Sequence, residues 1–396
     1  MKIVITGFFG FPNGMGPTAR AIAYARGLTK CGAEVQVVCV KPSETAMGKA
    51  LNTEISGVYR GIPFQYTCGA TRVAKSRIGA AWLYFKGLKG LVLAVGRVAR
   101  ADEKCVILAF TGDSSTLLII CRFAAWIFGG KLIVERSEFP LIHQQHTLRN
   151  RFIGWFNRRF LYPRLDGLIV ISTHLEEYFR RLLGPGARIL RIPIMVELDL
   201  WEHKIVRQVS PVFTITYSGN LDHVGEVDDL MKAFTDVNQH HRAARLLIIG
   251  GGSRLAALQQ QARLMSMEGS IEFTGLLTRP KTREEINASD LLVLPRRAGT
   301  FSSYGFPTKL GEYLATGKPV IATSTGDIPL YLKDAESAYL IQPGDAEALS
   351  TRIEEVVTHY EIAIQIGQAG QRIAAQYFDI EPNCRRVISF INELLA

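Results

Sequence analysis

Residues 291–328, LLVLPRRAGTFSSYGFPTKLGEYLATGKPVIATSTGDI, limit what this chain can fold into more than any other stretch. Leu291, Leu292, Val293 and Leu294 form an apolar run of the length expected for a parallel strand buried on both faces. A glycine-rich loop follows, and Pro307 and Thr308 stand where a helix begins. Lys309 to Ala315 continue that helix, Gly317 closes it, and Pro319 precedes a second strand at Val320 and Ile321. The pattern places Glu312 in the first turns of a helix whose amino end faces the loop. Such an end attracts anions, because free N–H groups and the helix dipole point the same way.

The same alternation runs along the chain twice. In the amino half, strands are predicted at 2–6, 34–40, 106–110, 131–134 and 167–171, with a helix at 18–31. A strand at 188–193 leads into a polar connector, and the pattern restarts with strands at 213–219, 246–249 and 270–274 and a helix at 228–237. Strands alternating with helices imply doubly wound parallel sheets of the α/β class. The reading is two Rossmann-like domains, 1–197 and 198–378, facing across a cleft, with a last helix at 379–396. In such sheets ligands bind at the carboxyl ends of the strands.

Residues 305–326 resemble the donor-binding segment of the retaining glycosyltransferases of family 4, which have the GT-B fold. The resemblance rests on Gly305-Phe306, Glu312, the run Ala315-Thr316-Gly317-Lys318-Pro319-Val320, and Gly326. Weaker likeness covers residues 165–179, 192–199 and 377–395. It implies that Glu312 grips the ribose hydroxyls of a nucleotide sugar, that loop amides hold its diphosphate, and that the last helix returns to the first domain. Bound metal is not implied, nor any cofactor beyond the donor substrate. The chain departs from the family at the first of two glutamates, where it has Tyr304. It departs again after Gly219, where Asn220 and Val224 replace the cations that clamp the diphosphate.

These readings select the candidate residues. Donor contacts are expected from Gly14 and Gly16 in the first glycine loop, Gly219 and Asn220, Gly251 and Arg254, and Tyr304, Gly305, Phe306, Thr308, Lys309, Leu310 and Glu312. Thr18 and Arg20 follow the first loop, which only partly matches a dinucleotide fingerprint. A diphosphate needs counter-charge, for which Lys309 is preferred over Arg254, Arg296 and Arg297. Glu135 and Glu138 end a strand and are candidates for acceptor base or acceptor-sugar ligand. The alternative for Glu135 is a structural ion pair with Arg136. His143, His146 and His174 lie nearby without metal-ligand spacing.

Composition narrows the partners. Six cysteines are scattered singly, which fits a reducing compartment. The amino terminus enters a strand directly, without a signal-peptide pattern, and no uninterrupted apolar run of spanning length is expected. The net charge of +10 favours an anionic partner. No nucleic-acid-binding motif is visible, so nucleic acid ranks last. Residues 72–100 contain no Asp or Glu. On a helix, Trp82, Phe85, Leu88, Val92 and Val95 would share one face, with Lys86, Lys89, Arg97 and Arg100 along a flank. Such a helix either lies on an acidic membrane or packs in the core with a solvated basic edge. Arg149, Arg151, Arg158, Arg159 and Arg164 interleave with Trp155 and Phe156 as a second basic patch.

The functional expectation is a cytoplasmic glycosyltransferase, either free or peripheral on the cytoplasmic membrane face. It would move a sugar with retention from a nucleotide-diphosphate sugar to a glycan or lipid-linked acceptor in surface polysaccharide synthesis. The alternatives are a nucleotide-sugar epimerase of the same fold and a non-catalytic nucleotide-sugar or glycan binder.

Overall fold

The computed structural model describes residues 1–14, 16–48, 50–99, 105–140, 147–201 and 212–396. His143, His146, Arg100 and most of the predicted connector lie outside the described residues. The chain divides into two compact units, Met1–Met195 with Ile380–Ala396, and Val196–Asp379.

Unit 1 runs β1 (Lys2–Gly7), α1 (Gly16–Lys30), β2 (Glu34–Cys39), β3 (Ser56–Tyr59), β4 (Ile62–Tyr66), α2 (Arg77–Ala99), β5 (Cys105–Phe110), α3 (Ser115–Ile127), β6 (Lys131–Arg136), α4 (Leu148–Phe156), β7 (Gly167–Val170), α5 (Thr173–Arg180) and β8 (Arg188–Arg191). Its strands form one sheet in the order β3-β4-β2-β1-β5-β6-β7-β8. All pairings are parallel except β3 with β4. From β1 the chain first moves to β2 and later to β5 on the other side, so the crevice at the carboxyl ends of β1 and β5 is the topological switch point. Ile3, Ile5, Val106, Leu108, Ile133 and Ile169 fill the core beneath it.

Unit 2 runs β9 (Phe213–Ser218), α6 (Glu226–His240), β10 (Ala244–Ile249), α7 (Leu255–Leu264), β11 (Ile271–Gly275), α8 (Arg279–Ala288), β12 (Leu291–Leu294), α9 (Thr300–Tyr304), α10 (Thr308–Ala315), β13 (Val320–Thr323), α11 (Ile328–Tyr331), β14 (Tyr339–Ile341), α12 (Ala346–Thr358) and α13 (Tyr360–Tyr377). The sheet order is β11-β10-β9-β12-β13-β14, parallel throughout. Its switch point lies between β9 and β12. The last helix, α14 (Ile380–Leu395), belongs to unit 1 and packs on α1. Cys384, Val387, Phe390 and Ile391 enter the core of that unit.

Three local outcomes differ from the sequence reading. The loop before α10 contains the short helix α9. The hairpin β3–β4 was not predicted; it turns through Arg60 (φ 50°) and Gly61 (φ 82°). Finally, α2 holds an 18-residue window of mean hydropathy 1.4, long and apolar enough to cross a membrane. Lys86 and Lys89 interrupt the run, which hid its length. Its predicted stripe is also split. Leu88 and Val95 are buried, whereas Trp82 and Phe85 are exposed.

Candidate active site

Three loops meet at the switch point of unit 2. Tyr313, one residue after Glu312, is fully buried, and its hydroxyl accepts the Ser218 amide at 2.7 Å. This bond ties α10, the helix that carries Lys309 and Glu312, to the end of β9. Gly219 donates its amide to Ile249 at 3.0 Å, and Leu221 donates to the Gly251 carbonyl at 3.1 Å. These bonds seat the β9 loop on the 250–252 loop. Gly250 has φ 149° and lies so close to Gly219 that a side chain there would strike the Gly219 carbonyl. On the other side, Gly326 packs beneath the carbonyls of Ser302 and Ser303 and supports the turn from α9 into α10.

At the start of α10, Pro307 holds the N-cap, Thr308 and Lys309 the first turn, and Glu312 the second. Lys309 Nζ lies 2.9 Å from Glu312 Oε2, with both side chains partly exposed. Leu310 and Phe306 are buried instead. Phe306 packs edge-on against Tyr331 and Phe378 at 5.5 and 5.7 Å, so it anchors the loop. Tyr304 ends α9 and Gly305 caps it. The Gly219 amide is spent in the backbone, which removes it as an anion donor. The Asn220 side chain accepts the Asp222 amide at 3.0 Å.

The candidate counter-charges sort by partner. Arg254, expected at the phosphate, instead makes a two-pronged bond to Asp228 at 2.8 and 3.1 Å. Asp228 also accepts the Gly225 amide at 2.9 Å, so the pair fixes the start of α6. Arg297 is held by Asp229 at 2.5 Å. Arg296, two residues after the end of β12, is buried, and its Nη1 has no hydrogen-bond partner among the described residues. Its guanidinium lies 4.9 Å over the Phe301 ring, whose other neighbour is His223, stacked at 5.0 Å. Burial pulls the Arg296 pKa down, opposed by the charge of nearby Glu226. Burial raises the Glu226 carboxyl, which accepts the Tyr217 hydroxyl at 3.2 Å. The Tyr217–Glu226–Arg296 cluster at the switch point has no contiguous motif, and only Arg296 was legible as a candidate.

In unit 1 the first glycine loop is tied inward. Gly14 and Gly16 are exposed. Thr18 is buried and donates to the Gly10 carbonyl at 2.7 Å, so its hydroxyl is engaged. Arg20 is buried beneath the loop and pairs with Glu135, while also donating to the carbonyls of Pro193 (2.9 Å) and Ile192 (3.0 Å). This corrects the ion-pair reading of Glu135, whose partner is Arg20 rather than Arg136. The Glu135 carboxylate is 2% exposed and lines the same cavity as Glu138. Burial raises its pKa against the pull of Arg20. Arg136 pairs with Asp113 at 2.9 Å. Glu138 is exposed, at the rim of a cavity of about 330 Å³ lined by Phe8, Phe9, Phe110, Asp113, Arg136 and Phe139. That cavity occupies the switch-point crevice of unit 1. His174 lies at the start of α5. Among the described residues, no group of His, Cys, Asp or Glu is arranged to hold a metal.

Comparison with known proteins bears on both units. Residues 13–194 match the glycosyl transferase 4-like domain and residues 212–359 match glycosyl transferases group 1. Glycogen synthase of Mycobacterium tuberculosis is 22% identical over 259 residues, covering 62% of this chain and 61% of that protein. A putative colanic acid biosynthesis glycosyltransferase of Salmonella typhimurium is 23% identical over 55% of this chain and 54% of its own. The chain thus spans little more than half the length of these relatives. Among solved structures, sucrose-phosphate synthase from Thermosynechococcus elongatus superposes with a TM-score of 0.76 at 16% identity, covering 100% of this chain and 99% of that one. Anabaena HepE, solved in complex with UDP and glucose, gives 0.73 at 17% identity over 99% and 100%. Residues 13–194 thus carry a glycosyl transferase 4-like domain and residues 212–359 a group 1 glycosyl transferase domain, and the chain has the two-domain GT-B fold.

Proposed function

We propose that this protein transfers a glycosyl group, with retention of configuration, from a nucleoside diphosphate sugar to a glycan or lipid-linked acceptor in surface polysaccharide synthesis. The observation that carries the reading is α10, which holds Lys309 and Glu312 as a pair in its first two turns and which the Tyr313–Ser218 bond ties to the end of β9. A nucleotide sugar offers both groups this arrangement can use. Its diphosphate takes the helix amides and Lys309, and its ribose diol gives hydrogen bonds to Glu312. Binding then exchanges the Lys309–Glu312 pair for two ligand contacts. As the bond between the anomeric carbon and the diphosphate breaks, negative charge grows on the leaving phosphate, where these donors stabilise it. Arg296, buried and not fully satisfied, adds positive potential at the same strand ends. HepE, captured with UDP-glucose, supports a nucleotide sugar as donor.

The aromatic-walled cavity of unit 1 is the proposed acceptor site, with Glu138 at its rim. The six free cysteines suit a reducing cytoplasm. The test is release of nucleoside diphosphate from a panel of donors, with and without lipid-linked and glycan acceptors, followed by NMR assignment of the product anomer. Acceptor-dependent release with a retained anomer supports the reading. Sugar interconversion without acceptor would make the protein an epimerase, and binding without turnover a non-catalytic binder.

A further inference from the structure

The outer face of unit 1 carries apolar and basic groups that its folding does not use. The crossovers through α2, α3 and α4 run opposite to the one through α1, so right-handed connections put these three helices on one face of the sheet. They are also joined directly. Gly96 of α2 packs on the Phe128 ring that ends α3, and Ser115 of α3 lies 2.6 Å from Asn157 after α4. On α2, Ile78 is 85% and Trp82 69% exposed. On α3, Trp126 is 73% exposed, and on α4, Leu148 is 83% exposed, with Phe152 and Trp155 beside it. Three of the four tryptophans lie on this face, and the fourth, Trp201, is buried.

The charge is as lopsided as the polarity. Residues 72–99 and 147–164 together hold eleven Lys and Arg and no Asp or Glu, in a chain of net charge +10. The rest of the chain is therefore close to neutral. None of these eleven forms an ion pair among the described residues.

We propose that the outer faces of α2, α3 and α4 form a docking surface for an anionic lipid bilayer, with Ile78, Trp82, Trp126 and Trp155 entering the interface and the surrounding lysines and arginines meeting the headgroups. Large exposed side chains of this kind need an apolar medium, which a nucleic acid backbone does not offer. A second copy of the chain would bring two faces of the same positive sign together, which opposes self-association. The docking is peripheral. The carboxyl half of α2 is locked into unit 1, with Leu88, Leu91, Ala94 and Val95 buried and Gly87 packed on the Val40 carbonyl. The helix therefore stays in the domain and does not span.

The test uses the full chain with phosphatidylcholine vesicles, with and without phosphatidylglycerol, in sedimentation and tryptophan emission. The expected result is co-sedimentation with the anionic vesicles alone, weakened by salt, with a blue shift of the exposed tryptophans. Two sets of exposed residues supply variants: Lys86→Glu, Lys89→Glu, Arg158→Glu and Arg159→Glu together, and Trp82→Ser with Phe85→Ser. Each basic residue near such a leaflet contributes about a fivefold factor in partitioning, so the charge variant should fail to sediment. The serine pair should weaken binding and diminish the blue shift, and circular dichroism checks that both variants are folded. Equal binding to neutral vesicles, no binding to anionic ones, unchanged binding by the folded variants, or a free chain that dimerises through this face would each overturn the proposal.

Discussion

Arg20 and Glu135 stand 115 positions apart and form a buried ion pair beneath the first glycine loop. Each residue looked like a candidate for chemistry when read alone. Their pairing shows a packing role for Arg20, and no local pattern announces a contact over such a separation. The same holds for Arg254 with Asp228 and Arg297 with Asp229. Lys309 and Glu312 are different, because helical spacing within one turn makes their proximity readable. Arg20→Ala should leave the Glu135 carboxylate buried and uncompensated and destabilise the fold by about 3–5 kcal/mol, measured by denaturant unfolding. Glu138→Gln, at an exposed rim position, should leave stability within about 0.5 kcal/mol of the parent. If Glu138 assists acceptor activation, the same variant lowers kcat; an unchanged kcat removes it from that role.

Among the elements, legibility followed local chemistry. The strands β1, β2 and β12 and the helix α10 carry apolar runs and glycine stops that fix their type. The β3–β4 hairpin escaped because its two-residue turn is Arg60-Gly61, whereas the usual signal is Asn or Asp before Gly. Arg60 takes a left-handed conformation that costs a side-chain-bearing residue about 1 kcal/mol, so Arg60→Asn should raise Tm slightly. The helix α2 misled in another way. Its periodicity is apolar all along, but its buried residues begin at Gly87, and in the amino half Leu83 and Tyr84 reach unit 1 while Ile78, Trp82 and Phe85 stay exposed. Periodicity shows which residues share a face and leaves open what covers that face. Gly87→Ala places a methyl against the Val40 carbonyl and should cost about 1–3 kcal/mol, read as a lower unfolding midpoint. Ile78→Ser, at an exposed position of the same helix, should leave the midpoint nearly unchanged.

For the whole molecule, two doubly wound sheets followed from two runs of alternating strands and helices, and both switch points gather side chains that came from separate stretches of sequence. At the switch point of unit 2, the Tyr313–Ser218 bond draws the α10 helix onto the β9 loop, and this placement gives Lys309 and Glu312 their proposed task. The most direct test is calorimetric titration of nucleoside diphosphates, and of the bare nucleosides, into the parent, Glu312→Ala and Lys309→Ala. The parent should bind one nucleoside diphosphate. Glu312→Ala should lose about 1.5–3 kcal/mol for diphosphate and nucleoside alike, and Lys309→Ala should lose affinity for the diphosphate far more than for the nucleoside. Parent binding that both folded variants retain in full would remove Lys309 and Glu312 from the nucleotide site.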